Sequence, residues 1–576
     1  MQDDWRATQN LTINLGVRYS YWSPFTDASG LQSTFDRNVP GGMVVYQGSG
    51  ALPAQTNQAV FDSFVAAGLP IESAAAAKFP LGLWNMPKKN FQPRLGFAYQ
   101  INSKTVLRGG WGVYNWAIPL SQYQRAARKN PPFSYSAVLD IGSINGVGTD
   151  STAAELEFPI ASAAFGGIQP VNQWTLGNQG CANQPAGTCT PPGLELDTSA
   201  VHIQQGSGFN IVPFDVNYKP SRVAQYNLSL ARELPWHVGV EVSYIGNRST
   251  NLVQFDPFNY TIPRKNCAVA GCTAPQRRAF PLFATSSGST GMSEYRYDGY
   301  SNTNEVQATA HRTFGSGLLV QSSFTFQRTL TTTESANEST AGLTVIPASL
   351  TPGYTLSNPN SGLSYSERQR VLYAPDSNLP NKTFSLNAHY QLPFGQGQRY
   401  MGNAHGVVNA IVSGWNIAPF FLWHSGFHFA PFYTAFGSST VLAPGKTGIL
   451  PRGERTRKRW FDASVDNQSL GQPYTGQTFI IRANPLDNDF RNNIPRNYMT
   501  GPGFNQLDAS IYKLTPIWKG SVLNLEAQIF NVYNHQNLGL PNTKGIITSP
   551  LSQGYFVNGS SGAVPRTIQL QAKFVF

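Results

Sequence analysis

The four cysteines are the residues of this sequence with the widest range of possible chemistry, and they fall into two close pairs. Cys181 is followed by Cys189, and Cys267 is followed by Cys272. Neither pair has the two-residue spacing of zinc knuckles or thioredoxin-type motifs, and no nearby histidine completes a metal site. Both pairs lie in segments rich in Gly, Pro, Asn and Thr, which favours a disulfide within each pair. Four reduced, unpaired thiols are the alternative.

Two histidines and a short glycine-lysine-threonine stretch are the next candidates for chemistry. His424 and His428 fall on a segment that reads as a strand, where residues four apart lie about 13 Å from each other. The two rings therefore cannot share one metal ion. Gly445, Lys446 and Thr447 resemble the end of a phosphate-binding loop, but the leading glycine of that motif is missing. With no motif for a nucleophile or a paired acid and base, we expect no enzyme activity, no metal and no cofactor.

The densest run of charge in the chain is basic. It consists of Arg452, Arg455, Arg457, Lys458 and Arg459. The chain carries a formal net charge of +11, but the other Lys and Arg residues are spread along it and no nucleic-acid module is visible. We therefore expect no nucleic-acid partner. A solvated loop is the simplest interpretation of this run, and contact with phosphate-bearing lipid or an anionic ligand is the alternative.

The composition restricts the elements that can position these residues. Only 12% of the 576 residues are charged, whereas a soluble domain has roughly 25%. Aromatic residues also make up 12%, and much of the polarity comes from Asn, Gln, Ser, Thr and Gly. This mixture is typical of strands with one face in lipid and the other on a wet lumen. No stretch approaches 18 uninterrupted apolar residues, so membrane-spanning helices are not expected.

The C-terminal segment, Arg566 to Phe576, shows the clearest strand pattern. Its apolar residues occupy every second position, and polar residues stand between them: Ile568, Leu570, Ala572, Phe574 and Phe576. Strict alternation gives a strand one apolar and one polar face. We interpret this segment as the closing strand of an outer-membrane β-barrel.

Similar alternation recurs along the chain and predicts about twelve strands, of which Leu11 to Tyr19 is the first. Their connections alternate between short turns, such as Thr515 to Gly520, and long segments, such as Trp116 to Ser221 and Ser425 to Asn505. An outer-membrane barrel has short periplasmic turns and long outer loops, whereas a sandwich or propeller has no reason for this order. The sequence therefore predicts an all-β fold, an antiparallel transmembrane β-barrel with long extracellular loops.

Two finer features accompany this topology. The first long connection includes a predicted short helix around Glu72 to Lys78. Aromatic residues near the predicted strand ends would form the interfacial girdles of the barrel. They are Trp111, Tyr244, Tyr390, Trp415, Trp423 and Phe576.

Seven stretches, in this order along the whole chain, resemble the C-terminal barrel region of Oar-like TonB-dependent receptors. They are QDDWRATQNLTINLGVRY (Gln2 to Tyr19), NFQPRLGFAY (Asn90 to Tyr99), TVLRGGWGVY (Thr105 to Tyr114), YIGNRSTNL (Tyr244 to Leu252), YQLPFG (Tyr390 to Gly395), GPGFNQLDASIYK (Gly501 to Lys513) and IFNVYNHQNLGLPN (Ile529 to Asn542). Each stretch is weak by itself, and their order and spacing make the resemblance specific.

The resemblance implies a longer protein in the bacterial outer membrane. Members of this family have a signal peptide, a carboxypeptidase-regulatory-like domain and a plug before a barrel of roughly 22 strands. We therefore expect residues 1–576 to be a fragment, the C-terminal part of such a barrel, with Met1 an internal methionine and QDDW the end of an earlier strand. The implied partners are outer-membrane lipid, the barrel-assembly machinery and, only through the missing N-terminal part, the TonB complex.

Two functions follow from this interpretation. The first is transport, in which the barrel takes up, or helps to export, a substrate too large for porins. The second is a surface-exposed structural or adhesive barrel that transports nothing. The sequence leaves the substrate open, because loops of this composition suit glycans, peptides and metal chelates equally. Some outer-membrane barrels carry catalytic residues on their strands, so the fold itself does not exclude an enzyme.

Overall fold

The computed structural model describes most strands of the chain and part of its long connections. The described residues are 2–56, 58–66, 68–117, 130–133, 211–213, 215–259, 275–283, 292–314, 317–333, 362–431, 440–468, 476–482, 494–517, 520–541 and 565–576. The four cysteines, Cys181, Cys189, Cys267 and Cys272, lie outside these ranges. The two disulfides therefore stay a prediction.

The described residues form strands β1 to β22. The first eleven are β1 Gln2–Arg6, β2 Leu11–Tyr19, β3 Ser33–Asp36, β4 Met43–Tyr46, β5 Ile71–Ser73, β6 Phe91–Asn102, β7 Thr105–Trp116, β8 Ser221–Leu234, β9 Val238–Pro257, β10 Ser293–Phe314 and β11 Leu318–Thr331. The others are β12 Ala374–Pro375, β13 Lys382–Gln391, β14 Trp415–His424, β15 His428–Phe429, β16 Thr440–Leu442, β17 Val465–Gln468, β18 Phe479–Arg482, β19 Met499–Thr500, β20 Phe504–Pro516, β21 Val522–Phe530 and β22 Thr567–Val575. The α-helices among the described residues are short: α1 Gln58–Ala66, α2 Tyr365–Leu372 and α3 Gly406–Val412.

One 14-stranded sheet dominates the molecule, and every neighbouring pair in it is antiparallel. Its path is β1-β2-β6-β7-β8-β9-β10-β11-β13-β14-β20-β21-β22, and β12 attaches to β11 beside this path. All twelve strands expected from alternation lie on the path, so the all-β, antiparallel prediction is confirmed. The additional member is β1, which contains the QDDW segment expected to end an earlier strand.

The register of the sheet separates an apolar face from a polar one. Leu95 pairs with Trp111 and Trp111 with Tyr226, while at the far end of the sheet Ala527 pairs with Leu570. Side chains directly opposite each other share a face, and successive side chains of a strand alternate between faces. The apolar residues of each strand thus form one continuous surface, which suits lipid. We call the other, Asn- and Gln-rich surface the lumen face.

Aromatic side chains cover two glycines on the apolar face. A Cβ atom on Gly109 would lie 2.4 Å from the Phe97 ring, and one on Gly246 would lie 2.2 Å from the Tyr226 ring. Each ring belongs to the residue directly opposite its glycine on the neighbouring strand. The rings restore the apolar surface that the glycines lack, a known way of supporting glycines in sheets.

The long connections fold into structured units at one end of the sheet. Their described residues contain three small sheets, in the orders β3-β4-β5, β16-β18-β17 and β15-β19. We call the described residues of these connections, together with the adjoining end of β9 from Gln254 and the start of β10 up to Asp298, the outer cap. Its side chains pack as in a soluble protein, since Phe64, Trp84 and Phe283 are almost completely buried.

The helix predicted around Glu72 to Lys78 is wrong. Ile71–Ser73 is strand β5, in which Glu72 pairs in parallel with Val45 of β4, and residues 74–78 form turns. Lys78 has a φ of 58°, a left-handed conformation that ends the turn. The helix of this region is instead α1. None of the helices among the described residues is long and apolar enough to cross a membrane.

Both edges of the large sheet are open in the part of the chain that the structure describes. β1 pairs with β2 and β22 pairs with β21, and no ladder joins β1 to β22. The residues of the predicted closing strand pair with β21, with Ile568 opposite Ile529, Leu570 opposite Ala527, Ala572 opposite Leu525 and Phe574 opposite Leu523. Both edge strands run toward the short-turn end, because β1 enters the turn before β2 and β22 ends beside the turn before β21.

Candidate functional site

The lumen face of β2, β6, β7 and β8 forms a shallow site with a floor of glycines. Gly96 pairs with Asn14 on one side and with Gly110 on the other, and Gly110 pairs with Asn227. The concavity above them has a volume of about 780 Å³. Missing side chains on adjacent strands open this space, and the flanking amides line it with hydrogen-bonding groups.

Charged and aromatic side chains stand above the glycine floor. The Arg94 guanidinium lies 4.8 Å from the centre of the Tyr114 ring, and Arg18 lines the same concavity. A cation over an aromatic face is attracted by the ring quadrupole, which helps to hold Arg94 in place. Guanidinium and amide N–H donors together suit a solute rich in hydrogen-bond acceptors. The chemistry available here is binding.

A second polar site lies where β9 and β10 enter the outer cap. Glu294 pairs directly with Asp256 across these strands, so the two carboxylates share a face. The guanidinium of Arg37 lies 2.9 Å from Glu294 and 3.6 Å from Asp256. Arg296 lies 2.9 Å from Asp298 and 3.6 Å from Glu294. We call these five residues, which alternate carboxylates and guanidinium groups, the rim network.

Helix α2 covers the rim network. A capping box at Ser364 and Glu367 fixes the start of the helix. Tyr365, its first residue, donates a hydrogen bond of 2.6 Å from its hydroxyl to Asp298. The Arg296 and Arg368 guanidinium groups lie 4.5 Å and 5.2 Å from the Tyr365 ring centre. The helix therefore excludes water from ion pairs that an open rim would leave exposed.

Burial changes the acidity of two groups in this site. β9 and β10 have 20 and 22 residues, about twice the length needed to cross a membrane, so their outer ends lie outside it. Burial raises the pKa of Glu294 to about 7, although Arg37 and Arg296 act in the opposite direction. Burial and the neighbouring Asp298 also raise the pKa of the Tyr365 hydroxyl. Glu294 therefore titrates near neutral pH, whereas Tyr365 stays a hydrogen-bond donor.

The basic run predicted from the sequence lies on the surface of the outer cap. Arg452, Arg457, Lys458 and Arg459 are exposed, and Arg455 is half-buried. Arg452–Glu454 forms a single turn of 3-10 helix. His424 and His428, also noted in the sequence, lie in β14 and β15 at the base of the same part of the cap. No group of three or more His, Cys, Asp or Glu residues that suits a metal ion occurs among the described residues.

Sequence reasoning missed the rim network, because it assigned residues 293–300 to a long loop. The available signal was the stretch Glu294-Tyr295-Arg296-Tyr297-Asp298. In this strand, the charged residues face Arg37 and α2, while Tyr295 and Tyr297 are buried among other aromatic residues. Charged and aromatic residues alternating at period two predict a strand covered on both faces.

A protein-family model described as "Outer membrane beta barrel domain" matches residues 1–569. The chain belongs to this family. This outer membrane β-barrel protein thus has the fold and the location predicted from alternation. A search of curated proteins gives no significant match.

Several solved structures resemble this barrel at low sequence identity. The outer membrane transporter YddB from Escherichia coli is 10% identical, with 85% of this chain and 40% of that chain covered and a TM-score of 0.39. The ferric-catecholate import receptor Fiu from E. coli is 9% identical, with coverages of 99% and 43% and a TM-score of 0.33. The pyoverdine receptor FpvA from Pseudomonas aeruginosa is 9% identical, with coverages of 100% and 41% and a TM-score of 0.35. The chain spans about two fifths of the length of these proteins.

Proposed function

We propose that this sheet is the C-terminal part of the barrel of a TonB-dependent receptor that moves a solute across the outer membrane. The observation that carries the proposal is the direction of the two edge strands. β1 and β22 both run toward the short-turn end, because the path between them contains an odd number of antiparallel strands. Antiparallel closure of β1 directly on β22 is therefore impossible.

The energetics of lipid require these edges to be paired. Each unsatisfied backbone group in the hydrocarbon region costs several kcal/mol, so an open edge of nine residues such as β22 carries a large penalty. Bacterial barrels of a single chain have an even number of antiparallel strands. An odd number of further strands would satisfy both edges, and a barrel of about 22 strands needs about nine.

A second copy of this chain does not supply the missing strands. Two copies inserted in the same orientation would bring together edges that all run toward the short-turn end, and every new junction would be parallel. The additional strands therefore belong to another segment of the same protein. This agrees with the resemblance to Oar-like receptors, in which an N-terminal part of the barrel, a plug and the contact with TonB precede the region seen here.

The lumen face supports transport in such a barrel. Small barrels fill their interior with side chains, whereas barrels of about 22 strands enclose a lumen wide enough for a plug. The glycine floor at Gly96 and Gly110 and the surrounding amides give this wall a polar surface suited to a water-soluble cargo.

The deciding experiment compares a bacterium that carries the complete gene with a deletion strain. Both strains grow on mixed oligosaccharides, peptides and iron chelates, and mass spectrometry follows the loss of each from the medium. Transport predicts that the deletion strain fails to deplete one class, and that removing TonB or the proton gradient has the same effect. Normal depletion combined with weaker attachment to surfaces would instead favour the adhesive barrel.

Barrel closure is tested separately by photo-crosslinking in the complete protein. A photoreactive amino acid replaces Gln569 in the edge strand β22. The expected cross-linked peptide comes from a strand outside residues 2–576. A cross-link to β1 would contradict closure by further strands.

A further inference from the structure

The basic loop, residues 452–459, places unpaired positive charge on the outer cap. None of its five cations forms an ion pair with another described residue. The one acidic residue within it, Glu454, is exposed, and the neighbouring Asp462 is engaged by Thr478. The rim network, by contrast, pairs each of its guanidinium groups with a carboxylate. Arg455 lies against the Trp460 ring, and Arg459 acts on the Asp462 carboxylate. The charge of Arg452, Arg457 and Lys458 is therefore available to an external partner.

The basic loop is held in one shape by its own backbone. Thr456 and Arg459 exchange backbone hydrogen bonds of 2.8 and 3.2 Å, which places Arg457 and Lys458 at the tip of a tight turn. Arg455 donates from Nε to the Leu450 carbonyl oxygen at 2.8 Å. A fixed turn presents its cations without the entropy cost of ordering a flexible segment on binding.

An anchor sets the height of the basic loop above the membrane. The Trp460 indole donates to the Thr500 carbonyl oxygen at 2.9 Å. Thr500 pairs with His428, and four residues further along each segment His424 pairs with Phe504 at the outer end of β14 and β20. Residues 425–427 and 501–503, between these two pairs, are not strand, so Thr500 lies at most about 13 Å beyond that end.

The lipid-facing residues of β14 locate the edge of the hydrocarbon region. Trp423, next to the end of β14, lies opposite Phe384 on the apolar face, as an outer aromatic girdle requires. Strands in such barrels tilt by about 40°, so Thr500 stands no more than roughly 10–13 Å above this girdle. Long basic side chains at this height reach the headgroup layer, which adds about 5–7 Å to each side of the hydrocarbon core.

We propose that the basic loop binds the phosphate groups of the glycolipid in the outer leaflet of the outer membrane. Guanidinium groups suit this role because they donate two parallel hydrogen bonds to phosphate oxygens. Clustered cations next to a membrane also gain from the surface potential of anionic lipid. A soluble anion would bind the same guanidinium groups, but the Trp460 anchor holds the loop at about the height of the headgroups. The lipid is therefore the assigned partner.

The test uses the complete protein in nanodiscs that contain bis-phosphorylated lipid A, followed by native mass spectrometry of retained lipid. The test variant carries Arg452→Ser, Arg457→Ser and Lys458→Ser, three exposed side chains without hydrogen bonds to described residues. The matched control removes three exposed cations at the short-turn end by Lys104→Ser, Arg232→Ser and Arg399→Ser. We expect retention to fall at least about tenfold in the test variant and to stay within about twofold in the control.

Four results would overturn the proposal. The first three are equal losses in both variants, equal retention of the same glycolipid without its phosphates, and tight binding of inorganic phosphate to lipid-free protein. The third would assign the loop to a soluble ligand. If the triple variant inserts poorly, the double variant Arg457→Gln and Lys458→Gln serves the same purpose. A wild-type retention that does not fall in 0.5 M salt (a Debye length of roughly 4 Å) would also contradict phosphate binding.

Discussion

The strands that face lipid and the outer cap above them are stabilised in different ways. Phe324 on the apolar face of β11 is 39% exposed, whereas Phe283 in the cap is completely buried. In the sheet, most of the stability comes from the backbone hydrogen bonds between strands and from the surrounding lipid. Lipid tails are as apolar as the side chains that face them, so these side chains need no protein partner. In the cap, water is the solvent, so packed aromatic residues and the rim network must hold the connections together. The two regions of this chain are therefore stabilised by different interactions, because one is surrounded by lipid and the other by water.

The largest expected difference between the two regions is the effect of removing a phenylalanine side chain. Phe283→Ala should destabilise the outer cap by about 3–5 kcal/mol, the usual cost of a large cavity in a well-packed core. Phe324→Ala is the matched change on the lipid side, and it should cost much less because lipid fills the space. Hydrogen exchange of cap peptides in the complete protein measures the first effect. Equal protection in both variants would remove the distinction between the regions.

An arginine substitution should affect stability differently on the two faces of one strand. Leu386 and Asn387 are neighbours in the middle of β13 and face lipid and lumen respectively. Leu386→Arg should destabilise the barrel by about 2–4 kcal/mol, as expected for arginine near the midplane, and Asn387→Arg should be close to neutral. The folded fraction in vesicles, read from heat-dependent migration on gels, checks this pair. A larger loss from Asn387→Arg would reverse the assignment of the faces.

The rim network should make the outer cap sensitive to pH in a way that the membrane strands are not. Burial raises the pKa of Glu294 from its ordinary value of 4.5 to about 7. The folded cap therefore holds this proton more tightly than the unfolded chain does. The contribution of protonated Glu294 to the stability of the cap is complete below pH 4.5. It is lost as the pH rises through about 7. The size should be on the order of 3 kcal/mol, since the pKa rises by about 2.5 units and one unit corresponds to about 1.4 kcal/mol.

Urea titrations followed by Trp84 fluorescence at several pH values measure this effect. Glu294→Gln should flatten the pH dependence, because the amide mimics the neutral acid. Glu72→Gln, which removes an exposed carboxylate from the same cap, is the control and should leave the dependence unchanged. Cap stability that increases between pH 5 and pH 8 would show that the ion pairs with Arg37 and Arg296 outweigh burial.

Reduction of the predicted disulfides should have the smallest effect on the stability of the barrel. Cys181 with Cys189 and Cys267 with Cys272 should be linked within each pair, because the long connections lie on the oxidising, external side. Peptide mapping without reductant is the measurement, and reduction should leave the folded fraction of the barrel unchanged. Free thiols at all four positions in protein isolated from envelopes would refute the pairing.

Local alternation predicted the strands well because each strand carries its own evidence. Ile568, Leu570 and Phe574 indicate a lipid-facing side without knowledge of any partner, and in the structure all three lie opposite apolar residues of β21. The structure of the outer cap was much harder to predict from the sequence, because its contacts join distant parts of the chain. Arg37 and Glu294 are separated by most of the first half of the sequence. The predicted helix around Glu72 failed for the same reason, because pairing with Val45 overrides the local preference.

The sequence by itself determined the fold class, the twelve principal strands, the order of short and long connections and the location in the outer membrane. Those properties follow from a period of two and from the solvent on each face, which are readable residue by residue. Only the tertiary structure decided the register, the common direction of β1 and β22, the rim network beneath α2 and the height of the basic loop. Each of these depends on which distant residues meet, and a buried charge such as Glu294 acquires its properties only from that meeting.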